Sequence, residues 1–235
     1  MKPFQRFGFE HVTTLLLLAS IAGLLSWFLR RGRRAGSARP ETAVRISLAM
    51  LLTCGLVFAL IDSLPLHGLD WLDVLPLDFC DMAILIAIIA LLTRHRSASE
   101  IVYFWALSGT LIAMLTPDVD RGFPDTRCLS FFALHGVVAL SAVVLAFGAG
   151  VRPRPGADLR VFLLTNAYAA AIAVIDVVAH RNYLYLRAKP SQPSILDVMG
   201  PWPWYILAAD ALAFVLFKAL MMPFLNHRAP FPHRK

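Results

Sequence analysis

Seven apolar runs, at about residues 11–29, 43–62, 76–93, 100–115, 129–150, 159–180 and 204–224, take up most of this 235-residue chain. A helix needs roughly 20 residues to cross about 30 Å of hydrocarbon. In lipid only a helix satisfies each backbone group within its own segment. The pattern predicts an all-α polytopic membrane protein, a single bundle of seven transmembrane helices. Only 16% of the residues are charged and 58% are hydrophobic, against about a quarter charged in a soluble domain. The longest hydrophilic stretch, near 30–41, is too short to fold alone, so residues 1–235 read as one domain. The first run is also too long for the apolar region of a cleavable signal.

The net charge is +7, which in a soluble protein would point to nucleic acid. Here the basic residues sit in short loops beside apolar runs, and no basic stripe interleaves with exposed aromatics. Such placement serves topology and lipid headgroups instead. With the N-terminus outside, fifteen Lys and Arg residues fall inside and seven outside. The inside set includes Arg30, Arg31, Arg33, Arg34, Arg39 and Arg45, and also Arg228, Arg234 and Lys235. Positive residues favour the cytoplasm, so the expected topology is N-terminus outside and C-terminus cytoplasmic. An odd number of spans with dissimilar polar residues argues against an inverted repeat of the transporter kind.

Under that topology the outer ends collect the acidic and histidine residues, among them Asp70 and Asp73, while arginines dominate the inner ends. Ionisable groups within a span usually face a bundle interior or a watery cavity. Cys80 lies in Leu75-Pro76-Leu77-Asp78-Phe79-Cys80-Asp81, which opens the third span. A proline suits a first helical turn, and a thiol near a helix N-terminus is favoured as thiolate. Counted from Pro76, Cys80 is about 6 Å deep. His135, in Ser130-Phe131-Phe132-Ala133-Leu134-His135-Gly136, is about 9 Å deep counted from Leu129. A thiol and an imidazole at matching depth fit nucleophilic acyl transfer, with His135 as base. Asp81 or Asp78 is available to orient the ring, or to cap the helix. The same pair also fits two unrelated buried residues.

The other candidates are placed around this pair. His11 and Asp62 stand at span ends, and Asp118 follows the fourth span. His180, Asn182, Tyr183, Tyr185 and Arg187 form an aromatic, basic loop suited to a lid over a phosphate headgroup. Trp204 belongs to Gly200-Pro201-Trp202-Pro203-Trp204-Tyr205, an interfacial entry to the last span. Asp176 and Asp210 lie deeper and are expected to pair inside the bundle, with Asn166 or Tyr168. The three cysteines form no metal-binding spacing, and no HExxH or phosphate-loop pattern occurs. No metal or cofactor is required. A histidine-ligated haem or quinone, through His11, His135 or His180, remains a separate class of reading.

The segments 75–81, Tyr103-Phe104-Trp105, Leu115-Thr116-Pro117-Asp118, 131–136, Asn182-Tyr183-Leu184-Tyr185 and 200–205 resemble the YwaF-like bacterial integral membrane proteins. These are in turn distantly similar to the transmembrane-protein-164 acyltransferases. The resemblance implies a multi-pass protein of the bacterial cytoplasmic membrane. It also implies acyl transfer between phospholipid and lysophospholipid, with Cys80 as nucleophile and His135 as base. The animal motif has a His directly after the Cys, where this chain has Asp81. The resulting expectation is a cysteine-dependent phospholipid acyltransferase or transacylase working through a thioester. The alternative is a non-catalytic transporter or lipid-binding protein with an acidic outer cavity.

Overall fold

A computed structural model describes residues 2–63, 72, 75–190 and 193–225. Asp70, Asp73, Arg228, Arg234 and Lys235 lie outside these. Among the described residues the chain is an all-helical bundle of seven long helices: α1 (Phe9–Arg34), α2 (Arg39–Ser63), α3 (Phe79–Thr93), α4 (Arg96–Leu115), α5 (Thr126–Gly148), α6 (Ala157–Ala179) and α7 (Trp204–Leu225). Six of them are long and apolar enough to cross a membrane, and the 15-residue α3 is shorter. The chain is a multi-pass membrane protein.

Local chemistry sets the helix ends. Asp78 is extended, at φ −70° and ψ 151°, so α3 begins at Phe79 and not at Pro76. Cys80 is therefore the second residue of its helix. Arg94 turns left-handed at φ 56° and ends α3. His95 then caps α4, accepting from the Ala98 N–H. That cap starts α4 four residues before the position read from hydropathy, giving it 20 residues.

Burial separates the helices into centre and periphery. In the apolar stretches of α4 and α5, 61% and 56% of residues are buried, against 11% to 22% in α1, α2, α6 and α7. α5 packs against α1, α2, α3 and α4, while α6 and α7 pair with each other. The core joins Leu52 of α2, Ala87 and Leu91 of α3, Phe104 of α4, Val138 of α5 and Phe217 of α7. Both central helices contain one wide turn, at Ala106–Thr110 in α4 and at Val144–Gly148 in α5. Such single wide turns recur at functional sites.

The two ends of the bundle differ in chemistry. At one end Glu100 is nearly sealed from solvent and receives Arg154 through Nε and Nη2, each at 2.8 Å, with Arg160 at 3.4 Å. Glu41 bridges Arg45 at 3.6 Å and Arg94 at 3.5 Å, and Lys218 meets Asp158 at 2.7 Å. Gly150 has φ 74°, a left-handed conformation that strains any residue with a Cβ, so glycine is favoured there. The opposite end gathers the N-terminal segment, residues 75–78 before α3, and the described parts of the α4–α5 and α6–α7 connections. There the Phe4 N–H donates to Asp120 O, Arg6 to Pro193 O, and the Leu184 N–H to Asp78.

Candidate functional site

At that second end a cavity of about 570 Å³ opens between α3, α4, α5, α6 and α7, within the usual size range of ligand pockets. Cys80 and His135 both line it, as do Asp78, Asp81, Asp118 and Tyr185. The thiol and the imidazole thus border one space, although Cys80 is the second residue of α3 and His135 the tenth of α5, so the depths counted from Pro76 and Leu129 were not the true ones. No hydrogen bond joins the Cys80 thiol to a described residue.

His135 is held from two sides. Its Nδ1 is 2.8 Å from Phe131 O, and the Phe131 ring stacks on the imidazole at 4.0 Å between centroids, tilted 24°. A carbonyl has no hydrogen to give, so Nδ1 is the donor and carries the proton. In the neutral ring Nε2 then keeps its lone pair, as a proton acceptor requires.

Cys80 enters with the first turn of α3. The amides of Phe79, Cys80 and Asp81 precede the first intrahelical bond, made by the Met82 N–H to Asp78 O. A side chain at the cap position often satisfies such amides, but Asp78 does not. Its Oδ1 accepts from the Leu184 N–H at 2.8 Å instead. The first-turn amides thus remain donors beside the thiol, at the positive end of the helix. Asp81 lines the cavity without a hydrogen-bond partner among the described residues. Phe79 is wedged against Trp105 at 5.0 Å and Tyr168 at 5.7 Å. The Tyr168 hydroxyl donates to Leu77 O at 2.6 Å, which pins the approach to α3.

The roof is the α6–α7 connection. Leu184 and Tyr185 both have positive φ, 55° and 56°, and both line the cavity. The Tyr205 hydroxyl donates to Tyr185 O, and the Tyr185 hydroxyl donates to Asp118 Oδ2 at 3.4 Å. Burial first, and then the charge of Asp118, push the Tyr185 hydroxyl up to about 12, so it stays a neutral donor. Among the described residues no group of three His, Cys, Asp or Glu side chains is placed to hold a metal ion.

The sequence matches the TMEM164 family over residues 6–221. The chain belongs to the TMEM164 family. That match spans all seven helices, so the family pattern describes the whole bundle and not one motif. No curated protein and no solved structure matches the chain.

Several residues expected at the site of this family member lie elsewhere. His11 is buried with both ring nitrogens used inside the protein: Nδ1 accepts from the Phe7 N–H at 2.9 Å and Nε2 donates to Met114 O at 2.8 Å. Asp62 and Trp204 face outward away from the cavity lining. His180 ends α6 in a left-handed turn at φ 53°. Asn182 folds the roof loop, accepting from the N–H groups of Arg187 and Ala188 and donating to Ala188 O. Tyr183 is buried and donates to Leu72 O. Arg187 turns to the carbonyls of Asp176 and Arg181, away from the cavity lining. Asp176 accepts from the Tyr183 N–H at 2.9 Å, and Asp210 from Asn166 at 2.9 Å. The cavity lining also includes Trp105, known from sequence only as part of a family-like segment, and Thr110 and Thr165, which sequence reading did not single out. Trp105 donates to Thr165 at 2.7 Å.

Proposed function

We propose that this TMEM164-family protein is a membrane-embedded acyltransferase or transacylase that moves a fatty acyl group between phospholipid and lysophospholipid. Cys80 is the nucleophile and His135 the base. The observation that carries this reading is the shared cavity, with a thiol at a helix N-terminus and an imidazole whose Nδ1 is already committed to Phe131 O. His135 Nε2 takes the thiol proton as Sγ attacks the ester carbonyl. The carbonyl oxygen becomes an oxyanion, which the amides of Cys80 and Asp81 are placed to receive. Collapse breaks the acyl C–O bond, and the departing alkoxide takes the proton from Nε2, leaving a thioester. An acceptor hydroxyl then gives its proton to Nε2 and attacks the thioester, and Sγ leaves and recovers the proton. Catalytic hydrogen bonds are commonly long before substrate binds and tighten in the complex, consistent with the unbonded Cys80.

The arginine-rich end faces the cytoplasm and the cavity end faces outward in this reading, as loop charge favours. The setting is a bacterial cytoplasmic membrane, to which the YwaF-like motifs point.

The test is acyl transfer from labelled phosphatidylcholine to a lysophospholipid in proteoliposomes. Cys80→Ser and His135→Ala are expected to abolish transfer. A second reading is favoured by Asp78, Asp81 and Asp118 in the cavity lining, with no Lys or Arg among its described lining residues: binding or transport of a cationic small molecule. In that case Cys80→Ser retains activity and only the aspartates matter.

A further inference from the structure

The cations at the arginine-rich end are not equally occupied. Glu100 takes Arg154 and Arg160, Glu41 takes Arg45 and Arg94, and Asp158 takes Lys218. Arg33, at the end of α1, has no such partner. Among the described residues its guanidinium makes no hydrogen bond and no ion pair. It lies against the end of α5, in the place that a Cβ at Gly150 would take. A guanidinium carries five N–H donors in a fixed fork, and here the protein claims none of them.

Two further arginines stand beside it. Arg30, one turn earlier on α1, donates from Nε to Phe147 O at 2.8 Å and lies over the Phe147 ring at 5.6 Å. That single bond leaves its Nη groups unbonded among the described residues. Arg152, exposed and two residues past Gly150, makes no hydrogen bond or ion pair among the described residues. The charges of Arg30, Arg94 and Arg152 all act on Arg33, opposed by the carboxylate of Glu41, which Arg45 and Arg94 already share. Like charges held this close repel, and an anion between them relieves the repulsion. Loop cations of a membrane protein ordinarily meet headgroups one by one. Here cations from α1 and from the α5–α6 connection are brought together, and one of them is seated on a bare glycine.

We propose that Arg30, Arg33 and Arg152 hold the phosphate of an anionic phospholipid at the arginine-rich end of the bundle. The site is separate from the cavity and does not depend on the chemistry at Cys80. The guanidinium fork matches phosphate oxygens in pairs, and basic pockets between transmembrane helices take anionic headgroups. A lipid fits better than a free phosphate because an apolar surface adjoins the cations. Below Arg30 the same side of α1 presents Trp27, 59% exposed, and Gly23, where an added Cβ meets no atom within 4 Å. The headgroup sits at the arginines and an acyl chain lies along that side of the helix.

The experiment titrates the purified full chain in detergent with phosphatidylglycerol or phosphatidylcholine and reads bound lipid by native mass spectrometry. Phosphatidylglycerol is expected to bind more tightly. Arg33→Ala and Arg152→Ala should each weaken it about fivefold, and the double variant about thirtyfold, since a cation near a membrane surface adds about that much attraction for anionic lipid. Arg33→Lys, which keeps the charge and loses the fork, should lose less than Arg33→Ala. Arg39→Ala is the control: it removes an exposed cation at the same end, outside the cluster, and should change binding less than twofold. Equal losses in Arg33→Ala and Arg39→Ala overturn the proposal, as does equal binding of the two lipids. Glycerol 1-phosphate that displaces phosphatidylglycerol at similar concentration overturns the lipid assignment in favour of a free phosphate. Should Arg33→Ala fail to fold, Arg152→Ala against Arg39→Ala decides the matter, because both side chains are exposed.

Discussion

Replacing Asp78 with alanine is expected to free the strap that roofs the cavity. Leu184 and Tyr185 are held at φ 55° and 56°, where a residue with a Cβ costs roughly 1–2 kcal/mol. Together they store about 2–4 kcal/mol, offset by the bonds that hold them down. The Asp78 carboxylate accepts the Leu184 N–H at 2.8 Å, and a hydrogen bond to a charged group contributes about 1.5–3 kcal/mol. Its loss should raise the open population about 10- to 150-fold. Amide hydrogen exchange over residues 182–186 reads this directly, because exchange follows the opening equilibrium. Asp78→Ala should speed exchange by that factor. Adding Leu184→Gly, which removes one strained side chain, should recover part of the protection. Unchanged exchange in Asp78→Ala would refute the reasoning, since the strap would then be held by something other than this carboxylate.

Other expectations follow from single contacts. His135→Gln keeps a donor for Phe131 O but has no proton acceptor equivalent to Nε2, so acyl transfer should fall about 10²- to 10⁴-fold with the melting temperature nearly unchanged. At the arginine-rich end, Glu100 is 4% exposed and Arg154 is 41% exposed. Arg154→Ala leaves a buried carboxylate with only Arg160 and the residue-154 N–H, at 3.4 Å and 2.8 Å, whereas Glu100→Ala releases an arginine into water. Thermal unfolding in detergent should therefore show Arg154→Ala as the more damaging change, by about 1–3 kcal/mol; equal losses would contradict that asymmetry. A Cβ at Gly136 would lie 2.7 Å and 2.8 Å from the Leu18 methyls. Gly136→Val should cost about 1–3 kcal/mol, and adding Leu18→Ala should recover much of it, as a double-mutant cycle will show.

The bundle was legible because lipid leaves a chain few options. Runs of about 20 apolar residues read directly as helices. The ends were less legible because they depend on single backbone choices. Pro76 looked like a first-turn residue, but Asp78 takes the extended cap conformation and moves the start of α3 to Phe79. His95 reads as a loop residue until its ring is seen capping α4. The wide turns at Ala106–Thr110 and Val144–Gly148 have no sequence signal. The first of them sets Ser108, Gly109 and Thr110 on the cavity wall.

The candidate site was unreadable where partners decided the outcome. Cys80 and His135 were paired by counting from Pro76 and Leu129; the helices start at Phe79 and Thr126 instead, yet both residues line one cavity. His11 and Arg187 had the right residue types at the right end. Their polar atoms are used on Met114 O and Phe7 N, and on Asp176 O and Arg181 O, which no spacing rule reveals. The same holds for Asp78, whose carboxylate serves the roof strap and not the imidazole.

The central claim is that Cys80 carries the acyl group. Incubating the purified protein with labelled phosphatidylcholine, without an acceptor, and measuring its intact mass tests this directly. The account predicts a gain of one acyl chain, released by hydroxylamine as a thioester is, mapped to Cys80 and absent in Cys80→Ala. Acyl transfer that persists in Cys80→Ala, or labelled protein whose adduct maps to another residue, would contradict it.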